Sequence, residues 1–195
     1  MKRSQLIYFL FIFSCLNACC DKPIASEEIY TALDFKLKLE ALNHRDYLIQ
    51  QFNDTIPNSK YDYYYLIYFT AFNEGNSIKF IKKGDRYYLT EKIRDPQDSV
   101  PILTAYSTKI YEHEWACIEN MVNEFDFWTE KQFKHNRALD GFHFYLEVNK
   151  STDKERTHRI VGRASPRYDK IGALCQYIIR FKEVCFLNHE PRQVY

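Results

Sequence analysis

The sequence predicts an α+β fold: an antiparallel β-sheet of about six strands with helices packed on one face, preceded by an N-terminal helical segment. Three observations carry that expectation. Apolar residues recur at helical spacing from Ile29 to Leu42, change to strand-like runs from Tyr61, and return to helical spacing at Trp115 and Ile171. Short polar turns, not regularly alternating helices, join the strand-like runs, which is the habit of hairpins. The 195 residues, 46% of them hydrophobic, suit one core with a short appendage better than two domains.

The first residues read as an export signal. Lys2 and Arg3 form a basic start, Leu6 to Phe13 is an uninterrupted apolar run, and small or polar residues follow. The charge-free stretch from Ser4 to Cys20 sits at the lower limit for spanning a bilayer, and only its first half is strongly apolar, so a cleaved signal is preferred to a mature anchor. Leu16-Asn17-Ala18-Cys19 resembles a bacterial lipobox, with Ile12-Phe13-Ser14-Cys15 a poorer second match. The expectation is a lipoprotein signal over residues 1–18, a lipidated Cys19, and a tether to residue 26. That places the protein in the bacterial cell envelope, held to a membrane by its acyl anchor and facing the periplasm or the surface. An ordinary signal peptide would instead give a soluble secreted or periplasmic protein.

Beyond the tether, residues 27–60 read as the N-terminal helical segment. Ser26 suits a helix N-cap and Glu27 and Glu28 suit its first turn. Ile29, Leu33 and Leu37 share a face, Asn43 to Asp46 reads as a second cap that breaks the helix, and a second short helix runs to Phe52. Residues 53–60, with Pro57 and Asn58, form a loop. A single α+β domain then spans residues 61–187. Its strands are expected over Tyr63–Phe72, Ser77–Lys83, Arg86–Ile93 and Ile102–Ile110, with turns at Asn73 to Asn76 and at Lys83-Gly84-Asp85. Trp115, Ile118, Val122 and Phe125 mark a helix ended by Phe127-Trp128, and Lys131 to Arg137 is a basic loop. A hairpin follows, with Phe142, Phe144, Leu146 and Val148 on one face, His143, Tyr145 and Glu147 on the other, and Glu155 to Arg163 as its second strand. The last helix carries Ile171, Leu174, Cys175, Ile178, Phe181 and Cys185, and residues 188–195 are a polar tail.

Composition removes several functions. Lys plus Arg total 27 against 26 for Asp plus Glu, a net charge of +1, so no nucleic-acid partner is expected. Signal cleavage removes Lys2 and Arg3 and leaves the chain close to neutral. Its 5 glycines are scattered and build no phosphate-binding loop.

Several segments together resemble a family of small bacterial exported proteins and lipoproteins: Ser77-Ile78-Lys79-Phe80, Lys82 to Leu89, Glu114-Trp115, Phe125 to Trp128, Leu139-Asp140-Gly141, Leu146-Glu147, Arg163 to Pro166, and the helix of Cys175. The resemblance covers about residues 63–183. This chain departs from the family at Phe144 and Ala164, where members tend to carry Trp. The resemblance implies an exported fold of this class and brings no activity with it.

Candidate chemistry is sparse. Of the cysteines, Cys175 and Cys185 lie about 15 Å apart along one helix, so neither bridges the other, whereas Cys117 can pair with Cys175 or Cys185 if the two helices pack together. Buried free thiols are the alternative. There is no Cys-x-x-Cys and no H-E-x-x-H. Glu112-His113-Glu114 spreads over about 200° of a helix and reads as a solvated helix start. His143, Glu147 and His158 are the best metal or acid–base set, on the expectation that the two histidines face each other across the hairpin. Asp140, His143 and Ser165 supply the residue types of a hydrolytic triad, although Asp140-Gly141 and Ser165-Pro166 also read as plain turns and Asp140 as an ion-pair partner of Arg163. Tyr61, Tyr63, Tyr65 and Tyr145 form a candidate recognition surface, with half-buried strand packing as the alternative. No motif demands a cofactor. The reading that follows is a non-enzymatic envelope lipoprotein that binds a protein or envelope partner; an exported hydrolase or metal-dependent enzyme using the 140–165 hairpin is the competing one.

Overall fold

The computed structural model describes residues 25–69, 75–95, 102–130, 132–134, 143–151, 158–164 and 169–194. The signal segment, Cys15, Cys19, Asp140 and Ser165 lie outside the described residues. The chain divides into two units, Met1–Leu39 and Glu40–Tyr195. In the first, the described residues from Ala25 onward are helical.

The helix, α1 (Ala25–Gln51), continues into the second unit and passes through the break expected at Asn43 to Asp46. Asn43 and Asp46 point to solvent, while Leu48, Ile49 and the adjoining Phe52 are buried, so tertiary packing overrides the local capping signal. The helix ends where expected. Asn53 adopts φ 43°, its N–H donates to the Gln50 carbonyl, and the Asp54 N–H donates to the Ile49 carbonyl at 3.1 Å. That is a Schellman stop with Asn in the left-handed position.

Eight strands follow: β1 (Asp62–Phe69), β2 (Gly75–Lys83), β3 (Arg86–Asp95), β4 (Ile102–Ile110), β5 (Phe133–Lys134), β6 (His143–Asn149), β7 (His158–Ala164) and β8 (Arg192–Val194). They form one sheet in the order β5-β7-β6-β1-β2-β3-β4-β8. Seven of them pair antiparallel, and the two-residue β5 runs parallel to β7 along the edge. Two helices, α2 (Glu112–Glu124) and α3 (Lys170–Asn188), complete the α+β class expected from the sequence. The β2–β3 turn places Gly84 at φ +60°, a conformation that Gly adopts without a Cβ clash.

The extra strands lie where the sequence reads as basic loop and polar tail. β5 is two residues long, and β8 exposes Arg192, Gln193 and Val194, so neither shows a periodic signal. The tail is also fixed by His189, whose Nε2 lies 2.6 Å from Glu114. Glu114 is therefore no part of a solvated helix start. It is buried, accepts the Tyr111 N–H at 2.8 Å, and closes the first turn of α2, while Glu112 and His113 stay exposed.

Alternation along the strands sorts the core into two layers. On one face Tyr64, Leu66, Ile78, Phe80, Leu89, Phe144, Leu146, Val148 and Val161 pack against Trp115, Ile118 and Val122 of α2 and Ile171, Leu174, Cys175 and Ile178 of α3. On the opposite face Tyr63, Tyr65, Ile67 and Tyr145 pack under Leu48, Ile49 and Phe52 at the end of α1. Helical cover thus extends to both faces over β1 and β6. Tyr63 to Ile67 in β1 are all buried, which accounts for the density of aromatic and β-branched residues there.

Candidate functional site

The face under the end of α1 holds the most concentrated polar chemistry among the described residues. Strand parity puts Tyr63 and Tyr65 of β1, Ser77 and Lys79 of β2, Lys92 of β3, His143, Tyr145 and Glu147 of β6 and His158 of β7 on this side. From above, α1 and the turn after it bring His44, Arg45 and Asp54.

Glu147 is the centre of one cluster. Its carboxylate is buried, ion-paired with the Arg45 guanidinium, accepts the Tyr63 hydroxyl at 2.7 Å, and meets His158 Nε2 at 2.9 Å. Burial raises the pKa of the Glu147 carboxyl, but the His158 hydrogen bond, the Arg45 charge and the Tyr63 hydroxyl outweigh it and hold the group below the usual carboxylate range. Asp54 centres the second cluster. It pairs with Lys79, accepts from Ser77 Oγ at 2.6 Å and Tyr65 Oη at 3.0 Å, and lies 3.2 Å from Lys92 Nζ. There too burial is outweighed, by Lys79 first and Ser77 and Lys92 after it, and the carboxyl titrates low. Lys92 also donates to the Asn53 carbonyl at 2.7 Å, just past the C-terminal end of α1, and Lys79 to the Thr55 carbonyl at 2.7 Å in the loop that follows. A third contact joins His44 Nδ1 to the Tyr145 hydroxyl at 2.8 Å, with the His143 ring 5.1 Å from that of His44.

This arrangement revises several expectations. His143 and His158 do not face each other: His143 pairs with Ala164 and His158 with Asn149, at opposite ends of the hairpin. Glu147 meets His158 because the two are diagonal neighbours on one sheet face, while His143 turns to His44 instead. Among the described residues no three His, Cys, Asp or Glu side chains group as a metal site. Of the triad set only His143 is described. Arg163, weighed as a partner for Asp140, lies with its Nε 3.1 Å from Asp169.

Tyr63, Tyr65 and Tyr145 are buried and therefore form core rather than a recognition surface. Burial raises the pKa of all three hydroxyls, that of Tyr145 to about 12. Tyr61 alone of the four is partly exposed, beneath Lys83 Nζ at 5.5 Å. Cys117, Cys175 and Cys185 are all free thiols. Cys117 sits on the exposed side of α2, whereas Cys175 and Cys185 are core residues whose thiols burial pushes up to about 12. His44, Arg45, Asp54 and Lys79 were not singled out from sequence. The alternation Ser77-Ile78-Lys79-Phe80 was the available signal, but nothing local says that a helix end covers its polar side.

No protein-family model and no curated protein sequence matches the chain. The fold and site define the class: an α+β protein built on a single mainly antiparallel sheet. Among the described residues no helix is long and apolar enough to cross a membrane.

Proposed function

We propose that the chain is a bacterial envelope lipoprotein, acylated at Cys19, whose α+β domain is a non-enzymatic binding module for an anionic partner. The observation that carries the binding half is a charge asymmetry hidden in the near-zero net charge. On the face of β2, β3, β4 and β8 that bears Lys79, strand parity also places Lys83, Arg86, Lys92, Arg94, Lys109 and Arg192, and no acidic residue of these strands shares that parity. Lys83, Arg86, Lys109 and Arg192 are exposed, and Lys83 lies over the rings of both Tyr61 and Tyr88. Cations beside aromatic rings and the hydroxyls of Thr90 and Ser107 suit phosphate, carboxylate or sulfate groups. The carboxylates nearest this face, Glu147 and Asp54, are occupied by the protein's own donors, which favours binding over acid–base chemistry. The order of basic, apolar and lipobox residues at the N-terminus, and the family resemblance, support the envelope half.

A photo-crosslinker replacing Tyr88 tests the reading in envelope preparations. The expected result is a discrete adduct that the combined Lys83→Glu, Lys109→Glu and Arg192→Glu chain fails to form. An equally abundant adduct from the charge-reversed chain would overturn the binding half. Palmitate incorporation that persists in Cys19→Ala would overturn the anchoring half.

A further inference from the structure

We propose that Cys117 and Cys185 are a disulfide-forming pair that staples α2 to the last turns of α3. Two contacts fix the register of these helices. At one end the Glu114 carboxylate meets His189 Nε2 at 2.6 Å and the Asn188 side-chain amide at 3.3 Å. At the other the Phe125 and Tyr177 rings lie 5.5 Å apart. The start of α2 thus meets the end of α3, the end of α2 meets its first half, and the helices run antiparallel. At about 1.5 Å per residue, Cys117 lies about 4.5 Å in from Glu114 and Cys185 about 6 Å in from His189. From the other contact each lies about 12 Å in, eight residues from Phe125 and from Tyr177 respectively. Both counts put the two cysteines at the same height to within about 1.5 Å.

Their directions agree as well. Cys117 follows Glu114 by three residues and Cys185 precedes His189 by four, the spacings that keep side chains on one helix face. Each cysteine is therefore in line with a residue that already touches the other helix. Cα atoms of α2 and α3 come within 8 Å of each other, near the separation of about 4.4–6.8 Å that a disulfide spans. Cys175 is no rival, because the Tyr177 contact puts it about 15 Å from Cys117 along the helices.

Cys185 is buried and Cys117 is exposed at the rim of the seam, so an oxidant meets Cys117 first. Its thiolate attacks a disulfide oxidant, either glutathione disulfide or an envelope thiol oxidoreductase, and one oxidant thiol leaves. The Cys185 sulfur then loses its proton and attacks the Cys117 sulfur, and the second oxidant thiol leaves. The protein has given up two electrons and two protons to the oxidant. The bond closes a loop of about 70 residues that contains β5, β6 and β7. Its persistence in the cell rests on the export proposed above, because disulfides survive in oxidising compartments; its formation in vitro does not.

Incubating the purified full chain with glutathione disulfide, blocking the remaining thiols with N-ethylmaleimide and mapping the tryptic peptides by mass tests the pair. Cleavage at Arg180 and Lys182 separates Cys175 from Cys185, so the two are read apart. The expected product is a cross-link between the Cys117 and Cys185 peptides, two hydrogens lighter than the free peptides together, with Cys175 unbridged. The cross-link should raise the melting temperature by about 5–15 °C, and dithiothreitol should reverse the rise. Cys117→Ser and Cys185→Ser should each abolish the product and the rise, whereas Cys175→Ser should keep both. Glutathione left on Cys117 with no cross-link would overturn the proposal. So would a bridge from Cys117 to Cys175 or to an N-terminal cysteine in its place, or a melting temperature lowered by the bridge. The wild-type peptide map gives the answer even where a variant fails to fold.

Discussion

Glu147 shows what a buried charge requires at the scale of one residue. Arg45, Tyr63 and His158 reach its two oxygens from three different elements, and the side chains of Glu147 and Arg45 are only 3% and 8% exposed. Removing Glu147 leaves the buried Arg45 guanidinium with only the exposed Asp46 carboxylate as a charged partner, at 2.7 Å. Glu147→Leu is therefore expected to destabilise the fold by about 3–5 kcal/mol in urea unfolding. The double change Arg45→Met with Glu147→Leu should recover much of that loss, because neither charge remains to be desolvated. A double variant as unstable as the sum of the singles would refute the coupling. The sequence showed half of this pair. Alternation put His143, Tyr145 and Glu147 on one face and Phe144, Leu146 and Val148 on the other, as observed. It did not show that this polar face is covered, because Arg45 lies in a stretch whose Asn43 and Asp46 imitate a helix cap. A contact across about a hundred residues leaves no local trace in either partner.

At the scale of elements, the stops are as informative as the starts. Both α1 and α2 end in Schellman turns with a non-glycine residue in the left-handed position, Asn53 at φ 43° and Asp126 at φ 56°. After α2 the motif brings buried Phe127 back over buried Val122, the apolar contact that usually accompanies it. After α1 it delivers Asp54 to Lys79. Because a β-branched residue tolerates positive φ poorly, Asn53→Val should cost about 1–2 kcal/mol, while Asn53→Gly should be neutral or stabilising. Equal effects of the two substitutions, measured by thermal unfolding, would argue against the backbone as cause. A second element-scale prediction concerns β7, where a Cβ on Gly162 would lie 2.9 Å from the Phe133 ring and 3.0 Å from that of Tyr145. Gly162→Ala should destabilise by about 1–3 kcal/mol through overpacking, and Phe133→Leu should relieve part of it. The stop of α1 was legible from Asn53 and the loop residues after it, and the Gly84 turn from Lys83-Gly84-Asp85. β5 and β8 were not, since a two- or three-residue edge strand is specified by the neighbour it pairs with and not by its own pattern.

For the whole molecule, the two layers of core differ in kind. The layer under α2 and α3 is the more extensive and mostly apolar, though it too holds buried carboxylates, Glu91 paired with Lys182 and Glu114 beside His189. The layer under the end of α1 is smaller, built from Leu48, Ile49, Phe52, Tyr63, Tyr65, Ile67 and Tyr145, and depends on Glu147 and Asp54 remaining ionised among their donors. Both carboxyls titrate lower in the folded chain than in the unfolded one. Their contribution is therefore fully present above the unfolded carboxylate values of about 3.9–4.3 and is lost as pH falls through the lower folded values. Acid should thus open the α1 layer before the opposite one, as a sub-global unfolding step. Hydroxyl-radical footprinting between pH 7 and about pH 3 tests this order. Tyr63 and Tyr145 should gain modification at a higher pH than Trp115, which is buried in the other layer. In Arg45→Met with Glu147→Leu the low-pH opening should shift to more acid values, because one of its two titrating clamps has been replaced by apolar contact. Simultaneous exposure of Tyr63, Tyr145 and Trp115 in the wild-type chain would show that the layers unfold as one unit and that the ionised clamps do not set the order.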